Sequence, residues 1–308
     1  MPYRVLKGEL AVTGKSPDGD TVAFFIDKES IGDWVYPKPG GGRFPKFNKS
    51  FHANVRFEAI DALELHFTPK FVWPVINSHQ PLELARAARN RMLSLCGFDL
   101  EQVEIDENEK LTDRADQRIP AVVAYNGIDP FGRLIGFVFH PDDAPPLSND
   151  SKHEQYLEVE QVLKSINATL LAEGYAVPTF YSGLYPPIRN ALAQLAIDAR
   201  NATPPLGVWK DYVSEIVLPR KPDICAIEEI VLMPKVYRRL AENIARNGAM
   251  SRLSEFLWDK GDDLIDIRDV RATGFGSFLK ARKEGPDSDP VYRLTLSRKP
   301  EELIFTPE

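Results

Sequence analysis

The sequence predicts a small closed or half-closed β-barrel with helices packed outside it, an α+β arrangement of the oligonucleotide-binding (OB) fold type. Strand-like and helix-like segments follow one another in the order strands, helix, strands, two helices. The composition, with 43% hydrophobic and 27% charged residues, is that of a globular chain with a full core. Patterning alone leaves a generic α+β domain as the alternative.

The first strands are predicted over residues 3–13, 20–27 and 53–62, which are rich in apolar and β-branched residues. A helix is predicted for SHQPLELARAARNRMLSLCG, with Pro81 near its first turn and Gly97 as its stop. Its apolar face is expected to contain Leu84, Ala88, Met92 and Leu95.

Two β-rich runs, IPAVVAYNG and GRLIGFVFH, follow this helix and are joined by the turn IDPF. Next come a predicted helix around SINATLLAEG, ending at Gly174, and another over residues 187–200. Beyond about residue 212 the pattern changes to two amphipathic helices, MPKVYRRLAENIARNG and SRLSEFLWDKG, and two short strands, VYRLTLS and EELIF. We therefore expect an OB-type domain over residues 1–212 and a mainly helical α+β accessory region over residues 213–308.

The charge of the chain is unevenly distributed. The formal net charge is -7, and residues 71–165 carry 9 basic and 16 acidic side chains. Much of the acidity falls in two expected insertions, near 99–119 and 140–158, which read as solvated surface. Residues 34–56, in contrast, contain five basic residues, five aromatic residues and no acid. This segment is equally typical of a plain surface loop and of a loop that contacts nucleic acid.

The remaining compositional signals concern the compartment. Cys96 and Cys225 lie far apart and lack ligand-type spacing, which favours a reducing compartment. The start MPYRVLKGEL has no basic head followed by an apolar run, so no signal peptide is expected. No apolar run approaches the roughly 18 residues of a membrane span. We expect a cytoplasmic protein without a membrane partner.

Carboxylates occur in two turns at predicted strand ends, DGDT at 18–21 and IDALE at 60–64. Asp20 and Asp61 can converge on one hard cation, and calcium accepts such oxygen ligands in loose geometry. Glu64 lies close enough to Asp61 to contact a metal-bound water. Asp18 is most simply a turn residue, because aspartate before glycine is common in turns.

Two arginines stand near these turns, in VRF at 55–57 and FGR at 131–133. Arg56 and Arg133 can both reach a phosphate, to which guanidinium groups donate paired hydrogen bonds. Stabilisation of developing charge by such groups is usually the largest catalytic term. Either arginine alone would most often be a solvated surface residue, and it is their combination with the carboxylates that indicates a site.

The four motifs in this order, followed by NATLLAEGYA and PLGVW, resemble the staphylococcal-nuclease-like, or thermonuclease, family over roughly residues 5–210. The resemblance implies that Asp20, Asp61 and the backbone carbonyl of Ala62 bind calcium. It also implies that Glu64 is the general base or orients the attacking water, and that Arg56 and Arg133 bind the scissile phosphate.

Family members hydrolyse DNA and RNA with calcium by in-line attack of water and leave 3′-phosphate ends. Arg43, Lys46 and Lys49, in the basic segment, are further candidates for substrate binding. Phe180 and Tyr181 are approximate counterparts of the family's stacking tyrosines, with core packing at a helix exit as the alternative.

The chain departs from the family pattern at three positions. Leu63 stands where the family usually has proline, between the metal-binding turn and the glutamate. Phe131 and Pro130 stand where a tyrosine and a lysine help to bind the terminal phosphate. These changes affect substrate affinity and exonuclease character more than the chemistry itself.

We therefore expect a calcium-dependent nuclease, a metal-dependent phosphodiesterase acting on DNA, RNA or both. A non-catalytic nucleic-acid- or protein-binding module on the same fold is the alternative, and a partner-recruiting role for residues 213–308 is a third. Retention of the metal and arginine positions favours the enzyme. The choice between DNA and RNA, the endo or exo mode, the oligomeric state and any protein partner stay open.

Overall fold

The structure is a computed structural model that describes residues 2–12, 14–27, 52–70, 72–73, 75–146, 154–259, 263–266 and 272–306. Its strands are β1 (Tyr3–Ala11), β2 (Thr21–Ile26), β3 (His52–Phe57), β4 (Ile60–Asp61), β5 (Val103–Ile105), β6 (Leu111–Asp113), β7 (Ile119–Ile128), β8 (Leu134–Phe139), β9 (Glu154–Gln155), β10 (Val177–Pro178), β11 (Phe180–Tyr181), β12 (Glu215–Pro219), β13 (Asp263–Asp266), β14 (Ala272–Gly274), β15 (Leu279–Glu284), β16 (Val291–Leu296) and β17 (Leu303–Phe305). Its α-helices are α1 (Leu82–Cys96), α2 (Val159–Val162), α3 (Ile166–Ala172), α4 (Pro186–Asn201), α5 (Cys225–Glu228), α6 (Pro234–Asn247) and α7 (Leu253–Asp259).

Five strands close into a β-barrel. The sheet runs β2-β3-β8-β7-β1, and β1 also pairs with β2, which closes the ring. The β3–β8 pair is parallel and the other pairs of the ring are antiparallel. Gly8 lies where β1 meets β2, and a Cβ there would lie 2.1 Å from the carbonyl oxygen of Phe25. The closed ring confirms the predicted barrel. A side chain at Gly8 would block the pairing of β1 with β2, so the closure depends on this glycine.

The barrel core follows from strand periodicity, because alternate side chains point to the same face of a strand. The pairing registers place Leu6, Leu10, Phe24, Val55 and Val123 on one face of the ring, and all five are buried. Filling the interior in this way leaves the functional residues at strand ends and in turns.

Helix α1 has the boundaries that its sequence predicts. Pro81 is its N-cap, and Gly97 ends it in the left-handed conformation with φ 97°. The buried face is rotated from the predicted one, because Ala85 and Arg89 are buried whereas Leu84 and Leu95 are only partly so. Ala88 and Met92 are buried as predicted, and Arg89 lies on the buried face where it contacts Glu109.

Helix α3 is joined to the barrel by a buried amide. Asn167 is fully buried, accepts a hydrogen bond from the N–H of Val138 (3.0 Å) and donates to the carbonyl of Glu58 (2.9 Å). Ser165 caps the helix by accepting from the N–H of Ala168. The polar groups of Asn167 are thus satisfied, as burial requires, and the turn after β3 is held in place.

The acidic insertion at 99–119 contains a short β5–β6 hairpin that is attached to α1. Glu109 accepts hydrogen bonds from Arg86 Nε (2.9 Å) and Nη2 (2.5 Å) at one oxygen, and from Arg89 at the other. We call Arg86, Arg89 and Glu109 the hairpin anchor. The insertion is thus partly fixed by buried charge, rather than being only a solvated surface.

The described part of residues 213–306 contains strand β12, then helices α5 to α7, then strands β13 to β17, so the expectation that this region is mainly helical is not confirmed. Strands β12, β16 and β15 form an antiparallel sheet. Helix α6 buries Val236, Tyr237, Leu240, Ala241 and Ile244. Another sheet, β11-β17-β13-β14, combines a strand from each side of the expected boundary at residue 212, through the parallel pair β11–β17.

A second link crosses the same boundary. Arg200, on α4, donates to Glu301 from both terminal nitrogens, at 2.8 and 2.6 Å. Glu301 is buried. The paired geometry of this contact is the strong form of a charge-assisted hydrogen bond. The C-terminal region is therefore packed against the barrel part by shared strands and paired charges.

Candidate functional site

The turn 18–21 delivers a buried carboxylate to the end of β2. Asp20 is 3% exposed, and its oxygens accept from the Thr21 hydroxyl (3.0 Å) and from the N–H of Ala62 (3.3 Å). Gly19 is required for this approach, because a Cβ there would lie 3.0 Å from the Ala62 Cβ and from the Ala88 backbone. The DGD turn is thus pressed between α1 and the next acidic turn.

That next turn, after β4, carries the other two predicted acids. Asp61 is 1% exposed and Glu64 is 8% exposed. Gln80 holds the backbone here: its side-chain oxygen accepts from the N–H of Glu64 (3.3 Å) and its N–H donates to the Glu64 carbonyl (2.8 Å). Leu63, which stands where the family usually has proline, is fully buried at this turn.

Arg56 brings the two acidic turns together. Its Nη2 lies 2.6 Å from Asp61 Oδ1, and its Nη1 lies 3.6 Å from Asp20 Oδ2. The residues that the sequence placed in one site, Asp20, Arg56, Asp61 and Glu64, are therefore neighbours in the structure. Asp18 joins them, because its side chain accepts from the N–H of Leu65 (3.0 Å) on the same turn.

A residue that the sequence did not indicate completes the group. Arg238, on α6, donates from Nη2 to Asp61 Oδ2 (2.7 Å) and from Nη1 to Asp61 Oδ1 (3.2 Å). The same Nη1 also contacts Glu64 Oε1. We call this group the acidic cluster. Its members are Asp18, Asp20, Arg56, Asp61, Glu64 and Arg238.

Arg133, the second predicted phosphate-binding residue, lies beside the cluster. Its Nε donates to Asp129 (2.6 Å), whose other oxygen accepts from the N–H groups of Phe131 and Arg133. Its Nη1 lies 3.3 Å from the Thr21 hydroxyl, next to Asp20. The guanidinium is thus held at the edge of the site, partly open to solvent.

The electrostatics of the cluster are unbalanced. Burial alone would raise the pKa of Asp61, but Arg238 and Arg56 outweigh it and hold this pKa at about 2. Burial raises the pKa of Glu64 to about 8, with Asp18 and Asp61 acting in the same direction against Arg238. Burial and the nearby Asp20 raise the pKa of Asp18 to about 7. Two guanidinium groups therefore face more carboxylates than they can neutralise.

The predicted calcium ligands are close together, but the arrangement does not fit the ion. Carboxylate oxygens are the right donors for calcium. Both oxygens of Asp61, however, already accept from guanidinium groups, and Arg238 lies between Asp61 and Glu64. Within the residues that the structure describes, no group of three or more acidic, histidine or cysteine side chains is arranged to hold a metal. Calcium binding therefore stays a prediction.

The candidates for substrate binding have different positions. Arg43, Lys46 and Lys49 lie outside the described residues. Phe180 is fully buried in the core, so it has no surface on which a base could stack. Tyr181 is partly buried, with Lys235 Nζ 5.5 Å from its ring centroid. These positions favour the core alternative for Phe180.

Sequence reasoning missed Arg238 and Gln80. Arg238 is separated from Glu64 by 174 positions and lies on a helix that was interpreted as accessory. Its signal is weak but present, since it stands at the edge of the apolar face of α6, beside the buried Tyr237. Gln80 precedes α1 and carries no motif, although its side chain also donates to the carbonyl of Leu232 (2.9 Å).

Two further observations bear on identity. No helix in the described part of the chain is both long and apolar enough to span a bilayer. No protein-family model matches the sequence, and no curated protein matches it.

Proposed function

We propose that this chain is a phosphodiesterase that hydrolyses DNA, RNA or both, on a barrel of the OB type. The barrel supports the OB assignment through its β2-β3-β8-β7-β1 order and the parallel β3–β8 pair. Helix α1 lies between β3 and β7 in the chain, which are the third and fourth ring strands in sequence order. A cytoplasmic site of action is part of the proposal.

The observation that carries the proposal is the contact of Arg56 with both Asp20 and Asp61, beside Glu64. A phosphate-binding group and a candidate base need to lie within reach of one reacting phosphorus. Residues separated by more than forty positions in the sequence meet here, as the resemblance to thermonucleases implies. A surface salt bridge alone would not require this convergence.

The chain's own residues suit in-line attack by water. Glu64, once ionised, accepts a proton from the attacking water, and because its pKa is about 8 the ionised form predominates only above that pH. The water oxygen forms a bond to phosphorus while the bond to the 5′ oxygen breaks, which leaves a 3′-phosphate, and the departing 5′ oxygen takes up a proton from solvent to become a 5′-hydroxyl. Arg56 and Arg133 stabilise the charge that develops on the phosphate oxygens. Asp61, with its low pKa, stays ionised and holds Arg56 in position.

The test is cleavage of single-stranded DNA and RNA by the full chain and by Glu64→Gln. We expect the variant to lose at least about 100-fold in rate, the usual contribution of a positioned general base. Glu104→Gln is the matched control, because Glu104 is exposed on the β5–β6 hairpin and pairs with Arg114. Each reaction is run with calcium and with a chelator, which tests the calcium prediction separately.

A non-catalytic module that binds nucleic acid or protein is the second candidate. The contact of Arg238 with Glu64 favours it, because a base held by a guanidinium is hindered in accepting a proton. Well-folded wild type that binds a fluorescent oligonucleotide without cutting it would support this candidate and contradict the phosphodiesterase.

A further inference from the structure

The guanidinium of Arg238 lies between Asp61 and Glu64, and Arg56 contacts Asp61 and Asp20 from the other side. We propose that Arg238 is a resident cation of the acidic cluster and occupies the Asp61 side of the position that the resemblance assigns to calcium. This inference rests on the acidic cluster of the proposed function, but it does not depend on cleavage. It concerns which cation the cluster holds, the chain's own guanidinium or a divalent ion.

Asp61 is the first reason. Its two oxygens accept from three guanidinium nitrogens: Arg56 Nη2 at 2.6 Å and Arg238 Nη1 and Nη2 at 3.2 and 2.7 Å. Guanidinium matches a carboxylate in this paired geometry better than a point charge does. A divalent ion that bound Asp61 on the Arg238 side would have to displace the arginine.

Glu64 is the second reason. The same Nη1 of Arg238 that contacts Asp61 also contacts Glu64 Oε1, so one nitrogen bridges the two turn carboxylates. Bridging of this kind is what a metal ion does in a carboxylate site. The arginine thus supplies both the charge and the crosslink that an ion would supply.

The backbone that carries Arg238 is firmly held. Its neighbour Tyr237 is fully buried, as are Leu240 and Ala241 one turn later. Gln80, beside Glu64, donates to the carbonyl of Leu232, just before α6. The side chain of Arg238 is 23% exposed. An attached cation acts at a high effective concentration, about millimolar or more for short connections, so a weakly binding ion competes poorly with it.

The test measures binding of calcium alone to the full chain by isothermal titration calorimetry. Wild type is compared with Arg238→Met and with the control Arg246→Met, which lies on the same helix and donates to the carbonyl of Lys70. We expect no saturable binding to wild type or to the control below about 1 mM calcium, the weak end for protein sites. Arg238→Met is expected to bind at least about tenfold more tightly, because Glu64 and one side of Asp61 lose their counter-ion while Arg56 stays in place.

A second variant keeps the test decisive if Arg238→Met does not fold. Arg238→Lys retains the charge but cannot make the paired contact with Asp61. It is expected to bind calcium more tightly than wild type and less tightly than Arg238→Met. Tight binding by wild type, or unchanged binding in the folded variants, would overturn the inference.

Failure of this inference and failure of the proposed function are separable. If Arg238 supplies the cation, any cleavage by wild type proceeds at an unchanged rate in chelator. Cleavage that requires calcium would support the phosphodiesterase and overturn the role of Arg238. If wild type does not cut and calcium binds only to the Arg238 variants, the role of Arg238 is supported and the phosphodiesterase is overturned.

Discussion

Two arginines face four acidic side chains in the acidic cluster and one, Glu109, in the hairpin anchor. The pKa of Glu64 in the acidic cluster is raised, whereas the pKa of Glu109 is lowered. In the hairpin anchor two guanidinium groups share one carboxylate, and their hydrogen bonds outweigh burial and lower the pKa of Glu109. In the acidic cluster two guanidinium groups face four carboxylates, and the pKa of Glu64 rises to about 8. Burial is the largest cause of the raised pKa of Glu64, and the excess of carboxylates adds to it, whereas at Glu109 the two arginines outweigh burial.

The largest expected effect is on stability at the hairpin anchor. The side chain of Arg89 is 1% exposed, so Arg89→Leu removes a partner from a buried pair and should lower the free energy of unfolding by about 3 kcal/mol. The side chain of Arg86 is 49% exposed, and Arg86→Leu should cost about 1 kcal/mol or less. Urea denaturation measures both. Equal losses would show that burial does not distinguish the two arginines.

The second expected effect is on the pH dependence of the free energy of unfolding, to which Glu64 and Glu109 should contribute with opposite signs. Glu64 has a pKa of about 8 when folded against an ordinary 4.5, so the folded state binds the extra proton. Its contribution is complete below about pH 4.5 and is lost as the pH rises through 8. Wild type should therefore lose about 2 kcal/mol more than Glu64→Gln between about pH 6.5 and pH 8.5.

Glu109 should behave in the opposite way. Because its pKa is lowered in the folded state, its contribution is present above its ordinary pKa and is lost as the pH falls. Glu109→Gln should therefore lose less stability than wild type on acidification. Urea denaturation over a pH series measures both dependences, and slopes of the same sign for Glu64 and Glu109 would contradict the comparison.

The smallest expected effect concerns the close approach at Gly19. Gly19→Ala places a Cβ 3.0 Å from Ala62 and Ala88 and should cost about 1 kcal/mol through local overpacking. Because Asp20 follows directly, the variant should also change the acidic cluster and reduce any cleavage. Gly274→Ala is the control, since a Cβ there has no neighbour within 4 Å. Thermal denaturation that did not distinguish the two variants would contradict the close packing at Gly19.

The barrel and half of the cluster could be predicted because their signals are local. Strand periodicity predicts the strands of the ring, and Pro81 with Gly97 predicts the limits of α1. Asp20 and Asp61 were recognised because turns at strand ends tend to gather in a barrel. The place of Arg89 on the buried face of α1 was not predictable, since its partner Glu109 lies twenty positions away.

Arg238 could not be predicted for a related reason. A single charge at the edge of an amphipathic helix is ordinary, and its role depends on where α6 packs. The contact of Gln80 with the carbonyl of Leu232, just before α6, ties this helix to the acidic turn, and it has no sequence signature. Long-range pairing thus decides the half of the site that local patterns leave open.

The long separation between Glu64 and Arg238 also bears on how the protein is made. During synthesis the acidic turns emerge 174 residues before the arginine that faces them. Domains generally begin to fold as they leave the ribosome. The nascent barrel therefore lacks the counter-charge of Arg238 until α6 follows, and the acidic turns face one arginine, Arg56, until then.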